Sequence, residues 1–286
     1  MVRRHELSDA EWEVLSGLLP KAVTGRPRQD DRLVLNGIVW KLRTGSAWRD
    51  VPERYGSRQT LYTRFRRWAL DGTFTRMLRA VQTQKDASGD IDWLVSVDST
   101  ITRAHQHAAG ARKGGRTGED ELHDHALGRS RGGLTTKVHL ACDGKGRPLG
   151  FVVTGGNVND CTRFEQVMDA IRIPHAGPGR PRTRPDHVLG DKAYSSRKIR
   201  AYLRRRGIPH TIPERSDQKA NRRNRGRHGG RPPAFNKQLY RHRNVVERCC
   251  NRLKQYRAIA TRYDKTRESY EAAVTIASLL LWIRPL

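Results

Sequence analysis

Three acidic residues stand where carboxylate groups could act together on a phosphate. Asp98 follows an apolar run in VSVDST, Asp191 follows another in VLGDKAY, and Glu247 lies inside the basic stretch YRHRNVVERCCNRLKQYR. Clustered carboxylates bind hard cations such as Mg²⁺ through oxygen, and two such ions can hold the attacking and leaving oxygens of a phosphoryl transfer. Each acid alone is weak evidence, because an Asp after a strand is more often a turn or cap residue.

The stretch around Glu247 predicts a helix whose polar side chains share one face. At about 100° per residue, Tyr240, Arg243, Glu247 and Lys254 fall within an arc about 60° wide. One interpretation is a surface salt-bridge ladder, since Arg243 and Glu247 form an ordinary i,i+4 pair. The other is that Glu247 binds metal while the cations hold a polyanion. Helical geometry alone leaves both open.

The basic charge of the chain is extreme and unevenly distributed. The 286 residues have a formal net charge of +27, and residues 197–257 contain 20 basic and 3 acidic residues. Such a concentrated excess is typical of a surface that binds a polyanion, and nucleic acid is the usual one. Because the sequence has neither a signal peptide nor a long apolar run, we expect a cytoplasmic protein without a membrane partner. Its four cysteines have no CxxC spacing, which disfavours a zinc ribbon.

The first ninety residues predict a small all-α module. LSDAEWEVLSGLLP begins with a capping box of Ser8 and Glu11, and DRLVLNGIVWKLRTG and SRQTLYTRFRRWALDG follow with helical spacing. The third helix carries Arg58, Arg64 and Arg67 on its polar face, so we predict a helix-turn-helix-like domain whose arginines contact DNA. A three-helix bundle with a solvated basic face is the alternative.

The rest of the chain predicts a mixed sheet with helices. DWLVSVDST, DHVLG and IPHTIPE are typical of strands, LTTKVHLACDGKGRPLGFVVTGG of a hairpin, and NVNDCTRFEQVMDAI, SRKIRAYLRRRG and YEAAVTIASLLLWI of helices. The segments 105–133 and NRRNRGRHGGRPP predict a mobile loop and a disordered basic loop. This order of elements is the α/β order of the ribonuclease-H-like fold, with a mixed five-stranded sheet. In it Asp98 and Asp191 end neighbouring strands, and the helix with Glu247 packs across them.

Composition also suggests where the two parts of the chain divide. Residues 81–90, VQTQKDASGD, are polar and fit a linker. We therefore predict a helical DNA-binding domain over residues 1–84, a linker over 85–92 and a ribonuclease-H-like catalytic domain over 93–286.

These motifs together resemble a known family. Tyr240, Arg243, Glu247 and Lys254 match the Y-x2-R-x3-E-x6-K signature of bacterial insertion-sequence DDE transposases, the group that includes insertion-sequence families four and five. VDST and GDKAY resemble the other two acidic motifs of that group. HQHAAGARKGG, GRSRGGLTTKVHLACD and the N-terminal WRDVPERYG and LYTRFRRW are similar to family five, so the resemblance covers nearly the whole chain.

The resemblance implies a DNA transposase. Asp98, Asp191 and Glu247 would be the catalytic triad and would bind Mg²⁺ or Mn²⁺, with two ions expected. Water would hydrolyse a phosphodiester at the end of the element, and the freed 3′-OH would attack target DNA. Tyr240, Arg243 and Lys254 would contact DNA near the cleaved end. The N-terminal module would recognise terminal inverted repeats in double-stranded DNA, and synapsis of two ends implies a homodimer or higher assembly on the bacterial nucleoid.

Three other functions remain as alternatives. A non-catalytic or domesticated DNA-binding protein would bind DNA without cutting it, and a structure-specific nuclease with the same triad would cut without strand transfer. An RNA-binding protein would bind RNA at least as well as DNA and would lack metal-dependent nicking. A zinc site at His105, His107, His123 and His125 is less favoured than a DNA contact or a solvated loop, because tight sites usually draw on ordered elements.

Overall fold

The computed structural model describes residues 4–21, 28–110, 125–130 and 132–284. Twelve α-helices lie within these residues. In chain order they are α1 (Asp9–Ser16), α2 (Asp31–Thr44), α3 (Arg58–Leu70), α4 (Thr73–Ala87), α5 (Gln106–Ala109), α6 (Asp160–Ala170), α7 (Arg197–Arg205), α8 (Ser216–Asn224), α9 (Lys237–Arg241), α10 (Asn244–Lys254), α11 (Arg257–Ala260) and α12 (Arg267–Ile283). None of the described helices is both long enough and apolar enough to cross a bilayer.

The predicted start of α1 and the predicted end of α2 are confirmed, whereas α1 ends at Ser16, before the end of the predicted stretch LSDAEWEVLSGLLP. Ser8 caps α1 and forms the capping box with Glu11, and the side chain of Asp30 caps α2. Gly45 ends α2 in the left-handed conformation with φ 71°, which glycine adopts without steric cost. Between α2 and α3 the chain makes two short 3₁₀ turns, so this connection is longer than the tight turn of a helix-turn-helix.

A fourth helix, α4, occupies most of the segment that was predicted to be a linker. It continues to Ala87, so the expectation of a linker over residues 81–90 is wrong for residues 81–87. A polar residue of this segment is part of the core. Gln82 is fully buried and donates from Nε2 to the carbonyl oxygen of Pro148 at 3.0 Å, so its polarity did not indicate exposure. The division into domains at residues 85–92 stays a prediction.

The sheet has the predicted order. Its strands are β1 (Leu94–Ala104), β2 (Gly128–Ser130), β3 (Gly133–Cys142), β4 (Pro148–Gly155), β5 (His187–Gly190), β6 (His210–Thr211) and β7 (Thr261–Arg262). The five expected strands run β4, β3, β1, β5, β6 across the sheet, with β1 antiparallel to β3 and parallel to β5. The short strands β2 and β7 add to β3 and β1. The α/β fold is therefore ribonuclease-H-like, preceded by a helical region.

Helices cover the sheet and bury its apolar side chains. The predicted terminal helix α12 packs on the sheet and the N-terminal helices, and Tyr270 on it donates a hydrogen bond to Oγ1 of Thr102 at 3.2 Å. Trp282 near its end donates from Nε1 to the carbonyl oxygen of Pro148 at 2.7 Å. One continuous cluster of buried hydrophobic residues joins the N-terminal helices, the sheet and α12.

The basic block of residues 197–257 is more ordered than the sequence predicts. The segment NRRNRGRHGGRPP was predicted to be disordered, but α8 and a 3₁₀ turn at Gly226–Gly229 occupy most of it. Helix α8 has no buried residue, and Gln218 fastens it by donating from Nε2 to the carbonyl oxygen of Ser195 at 2.6 Å. The loop predicted for residues 105–133 contains α5 and β2, while its residues 111–124 and 131 lie outside the described chain.

Candidate active site

The register of the two parallel strands brings the two aspartates side by side. Val97 of β1 pairs with Gly190 of β5 as the last step of that ladder, and the next residues are Asp98 and Asp191. Adjacent strands lie about 4.8 Å apart, so the two backbones hold these carboxylates close together. Strand β1 continues to Ala104, and the expectation that Asp98 ends its strand is therefore wrong. It is the neighbouring strand β5 that ends there.

Glu247 reaches this place from α10. Val246, Cys249 and Leu253 are buried and hold one face of α10 against the sheet. The guanidinium of Arg243 connects the acids, because its Nη1 donates to Oδ2 of Asp98 at 3.0 Å and its Nη2 donates to Oε1 of Glu247. The i,i+4 pair expected of a salt-bridge ladder therefore forms, but Arg243 also pairs with the partly buried Asp98 of β1.

The helix predicted over residues 240–257 is interrupted just before α10. The amides of His242, Arg243, Val245 and Val246 bond to carbonyls three residues earlier, which is the 3₁₀ pattern. A 3₁₀ helix has three residues per turn, so Tyr240 and Arg243 lie one above the other. Burial raises the pKa of Tyr240, the cation of Arg243 lowers it, and the charges of Asp191, Asp98 and Glu247 raise it further.

Mutual repulsion among the acids is visible at Asp98. Burial raises the pKa of Asp98, and the negative charges of Asp191 and Glu247 raise it further. The backbone N–H of Ser99 and the cation of Arg243 act in the opposite direction. The side chain of Asp191 caps the following 3₁₀ turn by accepting from the N–H of Ala193 at 2.8 Å. Both aspartates are thus oriented by their own backbone, as site residues should be.

The carboxylates of Asp98, Asp191 and Glu247 are an oxygen donor set that suits a hard divalent cation. Among the described residues, no three His, Cys, Asp or Glu side chains are close enough to form a ready-made metal site. Arg243 lies between Asp98 and Glu247 and supplies the positive charge there. The three side chains therefore have the chemistry of a cation site, and the guanidinium of Arg243 pairs with two of them in this structure.

Lys254, the last residue of the predicted signature, lies one step further along β1. Its Nζ donates to the carbonyl oxygen of Ile101 at 3.0 Å. Ile101 follows Asp98 by three residues on β1, so the end of α10 contacts that strand beyond Asp98. Lys254 is partly exposed, and its ammonium has further N–H groups that can donate to another partner. Arg243 therefore contacts Asp98 and Glu247 directly, and Lys254 contacts the same strand three residues after Asp98.

The three arginines predicted on α3 have different environments. Arg58 and Arg67 are exposed, as a DNA contact requires. Arg64 is only 9% exposed and donates from Nη1 to Oδ1 of Asp31 at 2.6 Å. The side chain of Arg64 therefore joins α3 to α2 in this structure, and its predicted DNA contact is not tested. The helical period alone had placed it on the polar face.

Sequence patterns did not single out a buried polar cluster on the other face of the sheet. His139 is 1% exposed, with its Nε2 at 2.9 Å from Oγ1 of Thr154. Its Nδ1 lies 3.5 Å from Asp160, which also pairs with Lys137 at 3.0 Å. The available signal was the alternation in TTKVHL, which places Lys137 and His139 on one face of a strand.

The stability of the protein should fall in mild acid because His139 is buried in its neutral form. Burial lowers the pKa of His139 to about 4, while Asp160 opposes this shift and Lys137 and Arg163 add to it. The unfolded chain has the ordinary value of 6.5 and so binds more protons below it. The stabilisation is complete above pH 6.5 and is lost as the pH falls toward 4, by about 3 kcal/mol in total.

Urea unfolding at pH 7, 5.5 and 4.5 measures this effect. In His139→Gln the fall in the free energy of unfolding over this range should be smaller than in the wild type. His175→Gln is the matched control, because His175 is exposed and should not change the pH dependence. Parallel pH curves for the wild type and His139→Gln would contradict the assignment.

The histidine pairs considered as a zinc site are only partly described. The rings of His105 and His107 pack 4.5 Å apart, and His105 also contacts Tyr263. His123 lies outside the described residues, so the expectation for this set of four is not tested.

Comparison with known proteins assigns both parts of the chain. A family model described as putative transposase of IS4/5 family matches residues 7–78. A second, described as transposase DDE domain, matches residues 90–282. These two matches together span the helical region and the sheet.

Individual relatives are similar over shorter stretches. A putative transposase for insertion sequence element IS402 of Burkholderia cepacia is 31% identical over 142 residues, 50% of this chain and 60% of the relative. A putative transposase for insertion sequence element IS6501 of Brucella ovis is 28% identical over 142 residues, 50% of this chain and 93% of the relative. An uncharacterized protein, y4sN, of Sinorhizobium fredii is 43% identical over 114 residues, which are 38% of this chain and 87% of the relative.

A solved structure is more distantly similar. The Mos1 transposase paired-end complex with left transposon end matches with 11% identity and a TM-score of 0.25, over 80% of each chain. A score this low carries no structural argument, and the assignment rests on the two family matches.

Proposed function

Because this chain belongs to the DDE transposase family of insertion sequences, whose members cleave DNA and transfer strands, we propose that Asp98, Asp191 and Glu247 are its catalytic carboxylates. The observation that carries the proposal is the in-register end of the β1–β5 ladder, together with the guanidinium that links Asp98 to Glu247. Nothing in DNA binding alone calls for an acid at the position of Glu247, within the most basic part of the chain.

DDE transposases generally depend on a divalent metal, and we propose that the three carboxylates hold two Mg²⁺ or Mn²⁺ ions. Such ions, when bound, stabilise the charge that develops on the reacting phosphate. The protein supplies the oxygen ligands on rigid elements, since Asp98 is part of a central strand and Asp191 caps a turn. Arg243 is then released to contact a DNA phosphate, for which its planar guanidinium is suited.

The partner is DNA, and we propose which parts of the chain contact it. Tyr240, Arg243 and Lys254 contact the strand that is cut. In support, Arg243 bonds to Asp98 and Glu247, Lys254 bonds to β1, and Tyr240 lies three residues before Arg243. Arg58 and Arg67 contact the terminal inverted repeats in double-stranded DNA. The same protein also binds target DNA. Because two ends of the element must be joined, it acts as a homodimer or a larger assembly. Its DNA partner lies in the bacterial nucleoid.

A cleavage and joining assay tests the proposal. The probe is labelled duplex DNA from both ends of the element that encodes the chain, with supercoiled plasmid as target and Mg²⁺ or EDTA. We expect Mg²⁺-dependent nicks at the ends and joined products, both absent for Asp191→Asn. Asp186→Asn is the matched control, because Asp186 precedes the same strand but is 75% exposed and pairs with Arg182.

The outcomes separate the alternatives. Nicks without joined products would favour a structure-specific nuclease, and specific binding without nicks would favour a non-catalytic DNA-binding protein. Equal activity of the wild type and Asp191→Asn would overturn the assignment of the carboxylates.

A further inference from the structure

A groove of about 1330 Å³ runs along the edge of the sheet beside the proposed active site. Its walls are strand β6, helix α7 and the segment 231–239 that leads into α9. The conformation of that segment is restricted, because Pro232 and Pro233 fix their backbone φ angles. The groove is therefore built from ordered parts of the basic block rather than from a flexible tail.

The charge in this groove is not balanced. Arg200, Arg204, Arg231 and Lys237 line it, and none of the described lining residues is an Asp or a Glu. Burial lowers the pKa of Arg200, and the neighbouring cations Arg204 and Arg222 lower it further. Burial also lowers the pKa of His210, with a smaller contribution of the same sign from Arg200 and Arg204. These cations repel one another, so an anion would stabilise them.

One guanidinium is held in place with a donor unused. Nη2 of Arg200 donates to Oγ of Ser195 at 3.2 Å and to the carbonyl oxygen of Ile212 at 2.8 Å. Nη1 of the same guanidinium is buried and has no hydrogen-bond partner among the described residues. Buried donors are nearly always paired in proteins, and an unpaired one needs an explanation. Arg200 therefore has hydrogen-bond capacity that no described group of the protein uses.

An aromatic pair connects the groove to the proposed active site. Phe235 is 46% exposed although it is a large apolar side chain. Its ring centroid lies 5.2 Å from that of Tyr240, whose carbonyl oxygen accepts from the backbone N–H of Arg243, the residue that bonds to Asp98 and Glu247. Exposed rings next to cations are the usual composition of a surface that holds unpaired bases and their phosphates.

We propose that this groove binds a single-stranded DNA segment that leads away from the cleaved phosphodiester. Arg200, Arg204 and Arg231 contact its phosphates, and Phe235 stacks on one of its bases. A single strand fits better than a duplex, because a base must be unpaired to offer its face to Phe235. The proposal rests on the proposed function only where it identifies the bound strand as the one that leads away from the cleaved phosphodiester. Binding of single-stranded DNA in the groove requires neither metal nor cleavage.

Fluorescence anisotropy with a labelled oligothymidylate in EDTA tests the groove in the full chain. Phe235→Leu keeps an apolar side chain but removes the ring, and we expect it to weaken binding about tenfold, whereas Phe235→Trp should bind as well as the wild type.

The cations are tested by a salt titration. Arg204→Ala should reduce the slope of log affinity against log salt concentration by about 0.7, the value for one single-strand phosphate contact. Arg205→Ala is the matched control, because Arg205 is the next residue of the same helix, is equally exposed and does not line the groove. Its affinity and slope should match those of the wild type.

Wild-type affinity and salt slope in both Phe235→Leu and Arg204→Ala would overturn the groove assignment. An equal loss of affinity for a labelled duplex of the same length would also overturn it, because the site would then not select single strands. Neither result depends on cleavage, so the proposed catalytic function could stand while the groove fails. Conversely, oligothymidylate binding that depends on Phe235 in a protein that cuts no DNA would support the groove and refute the catalytic proposal.

Discussion

Glu247→Gln is expected to reduce DNA cleavage at least about a hundredfold, because loss of even an indirect partner of a bound metal costs about 10-fold to 100-fold. DNA affinity and thermal stability should stay close to those of the wild type. The Glu247 side chain is 50% exposed, and glutamine retains an amide oxygen that can accept the hydrogen bond from Arg243. The substitution thus removes one negative charge with little change in shape.

Two measurements distinguish a lost metal ligand from a disturbed fold. Calorimetric titration with Mn²⁺ should show weaker binding in Glu247→Gln than in the wild type, and thermal unfolding should not change. Glu165→Gln is the matched control, since Glu165 is another helical glutamate paired with a cation, Lys198, at 3.4 Å. If Glu247→Gln cuts DNA at the wild-type rate, Glu247 is a salt-bridge residue and the ladder interpretation is correct.

Arg147→Ala is expected to lower the free energy of unfolding by about 3–5 kcal/mol, because it leaves a buried carboxylate without its cation. Asp143 is 0% exposed and accepts from Nε of Arg147 at 2.9 Å and from its Nη2 at 2.6 Å. Arg147 also donates to Asp90 from Nη1 at 2.8 Å and lies over the ring of Trp282. Urea unfolding monitored by circular dichroism measures the loss.

The exposed ion pair of Arg215 and Asp217 provides the comparison. Arg215→Ala should cost less than about 1 kcal/mol, because solvent screens a pair whose side chains are more than half exposed. The double variant Asp143→Leu/Arg147→Met should recover part of the loss, since it removes both buried charges. A loss below about 1 kcal/mol in Arg147→Ala would contradict the expectation that burial sets the cost.

Local sequence signals were sufficient for the elements that do not depend on distant contacts. The capping box of Ser8 and Glu11, the glycine end of α2 and the alternation in the hairpin all predict structure from neighbours a few residues away. The order of these elements predicted the fold and made Asp98 and Asp191 neighbours. The spacing of Glu247 within its signature indicated the family, because spacing is a property of sequence alone.

Elements stabilised by distant contacts were missed. Helix α4 buries Gln82 against the carbonyl oxygen of Pro148, which lies 66 residues away, so its polar sequence suggested a linker. Helix α8 has no buried residue and is fastened through Gln218 to Ser195, 23 residues earlier. Neither partner can be recognised from composition, because the chain must fold before they meet.

The sequence by itself determined the order of strands and helices. That order was enough to predict that Asp98, Asp191 and Glu247 lie in the same region of the fold. Only the tertiary structure decided the surroundings of each charge. It buried Arg64 against Asp31, where helical periodicity alone predicted a DNA contact. It also gave the residues just before α10 a 3₁₀ hydrogen-bond pattern, and Arg243 there contacts both Asp98 and Glu247. Periodicity describes one helix at a time, whereas the environment of a charge depends on every element packed around it.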